Sequence, residues 1–152
     1  METSMIEKVV KANLKAGSSE EVIKMLGNLL LSEGYVKETY VDAVLERERI
    51  LPTGLIIDGI NVAIPHTDST HVNETMISLA TLNKIVKFNS MTDPEKEVDV
   101  NIVFLLAVKD PKEQVNALRK LMAIFKNKEI LTNMKNAKDS QHLTHILTTS
   151  LT

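Results

Sequence analysis

The run Ile102-Val103-Phe104-Leu105-Leu106-Ala107-Val108 contains no polar residue. A strand with one wet face alternates apolar and polar positions; an unbroken run of this length is the pattern of a central strand covered on both faces. Helices are therefore required on both sides of the sheet. Working outward, a second apolar run, Thr75 to Leu82, precedes it across the polar loop Asn89 to Glu97. After it, Asp110-Pro111-Lys112-Glu113 predicts a helix start, with Asp110 as N-cap and Pro111 at the first helical position. Val115, Leu118, Leu121, Met122 and Phe125 are the expected buried stripe of that helix. Ile130 to Met134 and Leu143 to Leu147 predict two further short helices.

Toward the N-terminus, Met5 to Asn13 reads as a weak first strand. Ser18-Ser19-Glu20-Glu21 predicts a capped helix start with Glu21 reaching back. Val22, Ile23, Leu26, Leu29 and Leu30 recur at helical spacing, Gly34 is the expected stop, and Gly27 permits close packing. A second helix is expected from about Lys37 to Arg49, with Tyr40, Val41, Val44 and Leu45 inward, ending in the charge run Glu46-Arg47-Glu48-Arg49. Pro52-Thr53-Gly54 turns the chain, Leu55-Ile56-Ile57 predicts a short strand, and Asp58-Gly59 is a hairpin signal. Helices and strands alternate, and the hairpin demands an antiparallel pair, so the expected fold is α/β, a mixed β-sheet flanked by helices on both faces. With 152 residues and 43% hydrophobic content, one domain over residues 1–152 is expected.

The stretch after the hairpin signal carries the chemistry. In Gly59-Ile60-Asn61-Val62-Ala63-Ile64-Pro65-His66-Thr67-Asp68-Ser69, residues Ile60, Val62 and Ile64 alternate with Asn61 and Ala63, as in a strand with one face buried. Pro65 cannot continue a central ladder, so it ends the strand and places His66 at a terminus opening into a small polar loop. The plain alternative is a surface histidine without a role. His71 lies five residues on, so two imidazoles and Asp68 share one short segment.

Much chemistry is excluded. Charges are interspersed around a net charge of -2 with no arginine-rich run, which excludes a nucleic-acid footprint. The chain has no cysteine, hence no disulfide, thiolate metal site or thiol nucleophile. No apolar run approaches a membrane span and no h-region precedes Leu14, so a cytoplasmic protein without membrane insertion is expected. The glycines are scattered, matching no phosphate loop or dinucleotide fingerprint, and no G-x-S-x-G occurs. No cofactor is expected. His66, Asp68 and His71 fit no familiar metal signature, and His142 and His145, three apart on a predicted helix, read as surface or partly buried structural residues. One role needs only an exposed imidazole. A neutral histidine nitrogen can accept a phosphoryl group and pass it on, with amides, hydroxyls and a guanidinium from Arg47 or Arg49 neutralising the oxygens.

Leu45-Glu46-Arg47-Glu48, Pro52-Thr53-Gly54, Gly59 and Val62-Ala63-Ile64-Pro65-His66 resemble, in order and spacing, the signature of mannitol- and fructose-type enzyme IIA domains of the sugar phosphotransferase system. The likeness spans nearly the whole chain. Pro52 to His71, followed by Asn83-Lys84 and Phe88, is most similar to the galactitol-specific branch. The resemblance implies that His66 takes a phosphoryl group from the phosphocarrier HPr and gives it to a cysteine of a cognate IIB domain, feeding a IIC membrane permease. It implies that Arg47 stabilises the phosphoryl charge. Mannitol-type members carry a second active-site histidine where this chain has Gln114, so that auxiliary role is absent or falls to Gln114 or His71. A free-standing IIA subunit is expected. The alternatives are a regulatory module, in which phosphorylation of His66 controls binding to a partner protein, and a metal-binding or structural domain.

Overall fold

All of the unbroken hydrophobic run but its last residue, Val108, lies in β5 (Glu97–Ala107), the middle strand of a five-stranded mixed sheet, in a computed structural model that describes residues 3–151. The other strands are β1 (Val10–Leu14), β2 (Gly54–Leu55), β3 (Val62–Ala63) and β4 (Met76–Asn89), and the spatial order is β1-β4-β5-β3-β2. β4 and β5, which hold the two apolar runs, form a long antiparallel hairpin across the polar loop, from Met76↔Ala107 to Asn89↔Glu97. β3 runs parallel to β5, and β2 antiparallel to β3.

Helices cover both faces. Phe104 meets the ring of Phe125 in α4 (Pro111–Phe125), with centroids 5.1 Å apart. Leu105, the next residue and so on the opposite face, packs toward Gly27 of α2 (Ser19–Ser32). A Cβ at Gly27 would lie 2.6 Å from Val41 Cγ2 in α3 (Tyr40–Ile50), so only glycine permits this approach of α2 to α3. The remaining helices are α1 (Thr3–Glu7), α5 (Lys128–Lys135) and α6 (Ser140–Ser150).

Local signals placed α2 well. Ser18 Oγ accepts from Glu21 N at 3.2 Å, and Glu21 reaches back to the N–H of Gly17, one residue before the cap. Gly34 stands at φ +83. It donates to Leu31 O while Tyr35 donates to Leu30 O, both at 3.0 Å, which closes the last turn.

Four expectations are corrected. Met5 to Asn13 is not one strand: its start is helical in α1, and β1 begins at Val10. α3 starts at Tyr40 rather than Lys37. The Leu55–Ile57 strand is the two-residue β2, and the strand before His66 is the two-residue β3; the Ile57 to Ile60 turn closes through Ile60 N to Ile57 O at 2.9 Å. Alternation there was misleading, because Val62, Ala63 and Ile64 are all buried on an inner strand. In α4, Leu121, Ile124 and Phe125 are buried, whereas Val115 is 60% exposed and Met122 39%.

Candidate functional site

Where β3 ends, its parallel pairing with β5 is taken up again three residues later, at His66. Val62 pairs with Ile102, Ala63 with Val103, and His66 forms an isolated parallel bridge to Leu106 in the same register. Pro65 has no N–H but its carbonyl accepts from Leu106 N at 3.1 Å. His66 is thereby held beside the carboxyl end of the central strand, where open α/β sheets form their crevices.

The ring is half-buried and Nδ1 lies 2.7 Å from the Ile64 carbonyl oxygen. A carbonyl only accepts, so Nδ1 carries the proton and Nε2 is the unprotonated nitrogen. Burial, and secondarily the Arg47 charge, push the His66 pKa below its ordinary value; the bond to Ile64 opposes them without reversing the direction. The imidazole is held neutral and in one tautomer.

Arg47 reaches the same place from α3. It stands at i+7 from Tyr40 and i+3 from Val44, both fully buried, so the stripe that docks α3 on the sheet also presents Arg47. Tyr40 fixes that docking by donating from its hydroxyl to Leu106 O at 2.8 Å. The Arg47 Nε is buried and has no hydrogen-bond partner among the described residues. Leaving such a group unmet costs about 1–3 kcal/mol, an expense that an anionic ligand would remove.

Arg47, His66, Thr67, Asp68, Ser69, Thr70, Pro111, Gln114 and Leu118 line one open cleft of about 370 Å3. Pro111 and Gln114 bring the first turn of α4 to its rim, where amide dipoles favour an anion. Asp68 is committed to the loop: its side chain caps the 3-10 turn Ser69–His71 and accepts from Thr70 N and Oγ1. Those bonds hold its carboxyl below the ordinary aspartate value.

Of the predicted residues, His66, Arg47 and Gln114 come together; His71 does not. It lies outside the cleft lining, with Nδ1 at 2.7 Å from Thr39 Oγ1 and its backbone carbonyl accepting from Lys37 N. The structure thus gives His71 the work of tying the loop to the start of α3. His142 and His145 are exposed on α6 and do not line this cleft. No cluster of three or more metal-ligating side chains occurs among the described residues, and none of their helices is long and apolar enough to cross a membrane.

Two residues at the site were not assigned a role by sequence. Glu48 takes both hydrogen bonds of Thr53, from N at 2.8 Å and from Oγ1 at 2.9 Å. Thr53 Oγ1 in turn accepts from Ile64 N at 3.1 Å. Burial pushes the Glu48 carboxyl up to about 7, against the opposing pull of the two Thr53 bonds and of Arg47. The available signal was their place in the Leu-Glu-Arg-Glu and Pro-Thr-Gly motifs beside Arg47.

The fold and cleft define an α/β domain that displays one neutral imidazole beside an unmet guanidinium nitrogen. Residues 4–150 match the family described as phosphoenolpyruvate-dependent sugar phosphotransferase system, EIIA 2, and the chain belongs to that family, whose members are phosphotransferases of sugar transport. It is 28% identical over 132 residues to the galactitol-specific EIIA component of Escherichia coli K12, covering 87% of each chain. It is 29% identical over 142 residues to the mannitol-specific enzyme IIA component of Halalkalibacterium halodurans, covering 93% of this chain and 92% of the relative. Among solved structures, enzyme IIA mannitol of Escherichia coli, in complex with phosphorylated enzyme IIB mannitol, superposes with a TM-score of 0.77 at 21% identity, covering 93% and 95% of the two chains.

Proposed function

We propose that this chain is a single enzyme IIA domain that carries a phosphoryl group on His66 Nε2 between the phosphocarrier HPr and a cysteine of a cognate IIB component. The observation that supports this above all is the His66 tautomer: with Nδ1–H donated to Ile64 O, the lone pair resides on Nε2. That pair attacks the phosphorus of phosphohistidine HPr; the P–Nε2 bond forms as the P–N bond to HPr breaks, and the electron pair returns to the HPr ring. In the second step the IIB thiolate attacks, a P–S bond forms, and the Nε2 electrons return to His66. The proton stays on Nδ1, donated to the Ile64 carbonyl, throughout. Arg47, the loop amides and the start of α4 oppose the phosphoryl charge.

The sugar is proposed to be a sugar alcohol, and galactitol among these. Support comes from the galactitol-specific relative and from Gln114, which stands where the mannitol-type pattern has a histidine. The cognate IIC permease would select it. The test uses labelled phosphoenolpyruvate, enzyme I and HPr, followed by peptide mapping and addition of IIB. Acid-labile label on the His66 peptide that moves to IIB is the expected result. Label retained by His66→Ala would refute the assignment, and phosphorylation of mannitol but not galactitol by the reconstituted permease would refute the sugar.

A further inference from the structure

The backbone that aims His66 is held by side chains. β2 and β3 pair through Gly54↔Ala63 and Leu55↔Val62, so the next antiparallel position sets Thr53 opposite Ile64. At that position a regular ladder would continue through backbone atoms. Here the Ile64 N–H is taken by Thr53 Oγ1 at 3.1 Å, and the hydroxyl proton goes to Glu48 Oε1 at 2.9 Å. Glu48 Oε2 accepts from Thr53 N at 2.8 Å, which fixes the threonine backbone as well. The Ile64 carbonyl then receives Nδ1–H of His66. Thr53 is 3% exposed and Ile64 1%, so no water competes for these groups.

From this unbroken line of bonds we infer that Glu48 and Thr53 are positioning residues for phosphoryl transfer, bracketing Ile64 so that its carbonyl selects the His66 tautomer and ring direction. The inference rests on the proposed role of His66 for its kinetic consequence, and on the bond geometry alone for its effect on the ring. In its ionised form the Glu48 carboxylate is suited to the task because both oxygens accept. With a hydroxyl whose proton is already committed to Glu48, only lone pairs face the Ile64 N–H. A glutamine at this position would put an amide N–H2 toward one of the two Thr53 donors and disturb the line. Valine in place of Thr53 would leave the Ile64 N–H buried with no acceptor, free to swing and carry its carbonyl with it. Neither residue touches the phosphoryl group in this account; each acts through Ile64.

The test reads the ring directly, without any phosphodonor. In protein carrying 15N-labelled histidine, His66 should show the Nδ1–H tautomer in wild type and a mixture of the two tautomers in Thr53→Val and in Glu48→Gln. Thr53→Ser, which keeps the hydroxyl, should restore the wild-type ring signals. For transfer from phospho-HPr, kcat of Thr53→Val should fall on the order of tenfold with KM unchanged, as expected when a nucleophile is misaimed, and Thr53→Ser should recover it. Folding of each variant is checked by the amide spectrum, and Glu48→Gln supplies a second reading if Thr53→Val is unfolded. Wild-type ring signals in both disrupting variants would overturn the inference, and so would ring changes that Thr53→Ser does not reverse. A wild-type protein that takes no phosphate, yet whose tautomer is scrambled by Thr53→Val, would sink the phosphocarrier reading while upholding the bracket.

Discussion

The two walls of the cleft are built in opposite ways. On one side, Arg47 and His66 sit on elements tied down by buried bonds: Tyr40 to Leu106, Leu106 to Pro65, and the Glu48–Thr53–Ile64 line beneath the ring. On the other, the first turns of α4 offer Pro111, Gln114 and Leu118 to the cleft while Val115 and Met122 face solvent. The difference separates aiming from docking. A phosphoryl acceptor must be fixed to a fraction of an ångström before its donor arrives, whereas a surface that meets two different proteins in turn gains from uncovered apolar side chains with a polar rim.

The largest effect should come from breaking the aimed wall at its centre. His66→Ala is expected to abolish phosphate acceptance while the unfolding midpoint stays close to wild type, because the ring is only half-buried; a calorimetric scan beside the phosphorylation assay checks both halves. Next, Arg47→Ala should lower the transfer rate by about 10²-fold, the usual loss on removing one preorganised charge-stabilising donor. Since that change also removes a buried unmet Nε, the variant should be no less stable than wild type by urea unfolding. On the docking wall, Val115→Asp together with Met122→Asp should raise KM for phospho-HPr about tenfold, through lost apolar contact, with kcat and thermal stability unchanged. Loss of kcat instead would show that the two walls are not separable.

The smallest effects are those of pH. The His66 pKa lies below the ordinary 6.5, so the nucleophile stays neutral to more acid pH than a free imidazole. Phosphate acceptance should therefore remain level as pH drops through 6.5 and decline only below it. Glu48 runs the other way: its folded value of about 7 stands above the ordinary 4.5, so the folded chain holds that proton more tightly than the unfolded one. Its contribution to stability is complete below pH 4.5 and is lost as pH rises through about 7. Wild type should lose stability relative to Glu48→Gln across that window in parallel denaturant titrations.

The same contrast explains what the sequence disclosed. α2 was legible to within a residue because its start and stop are local: Ser18, Glu21 and Gly34 act on neighbours a few positions away. The apolar runs of β4 and β5 were legible because they are long, but their antiparallel pairing with each other was not read from them. β3 was not, since the residues around it are ordered by the Thr53 hydroxyl and by Leu106, and periodicity cannot register a bond to a side chain eleven residues earlier. Nor can it tell an apolar residue buried in the chain from one left open, which is why Val115 and Met122 were placed inward. At the site, His66, Arg47 and Gln114 converge as expected. His71 departs because Thr39, far from it in sequence, captures its ring.

The central claim is that the chain presents Nε2 of one imidazole and no other nitrogen for phosphate. The phosphorus and nitrogen NMR spectra of the 15N-histidine protein, recorded after phosphorylation by enzyme I and HPr, test it most directly. The account predicts a single phosphohistidine, bonded through Nε2 and absent from His66→Ala. A phosphoryl group on Nδ1 of that ring, or on His71, His142 or His145, would contradict it.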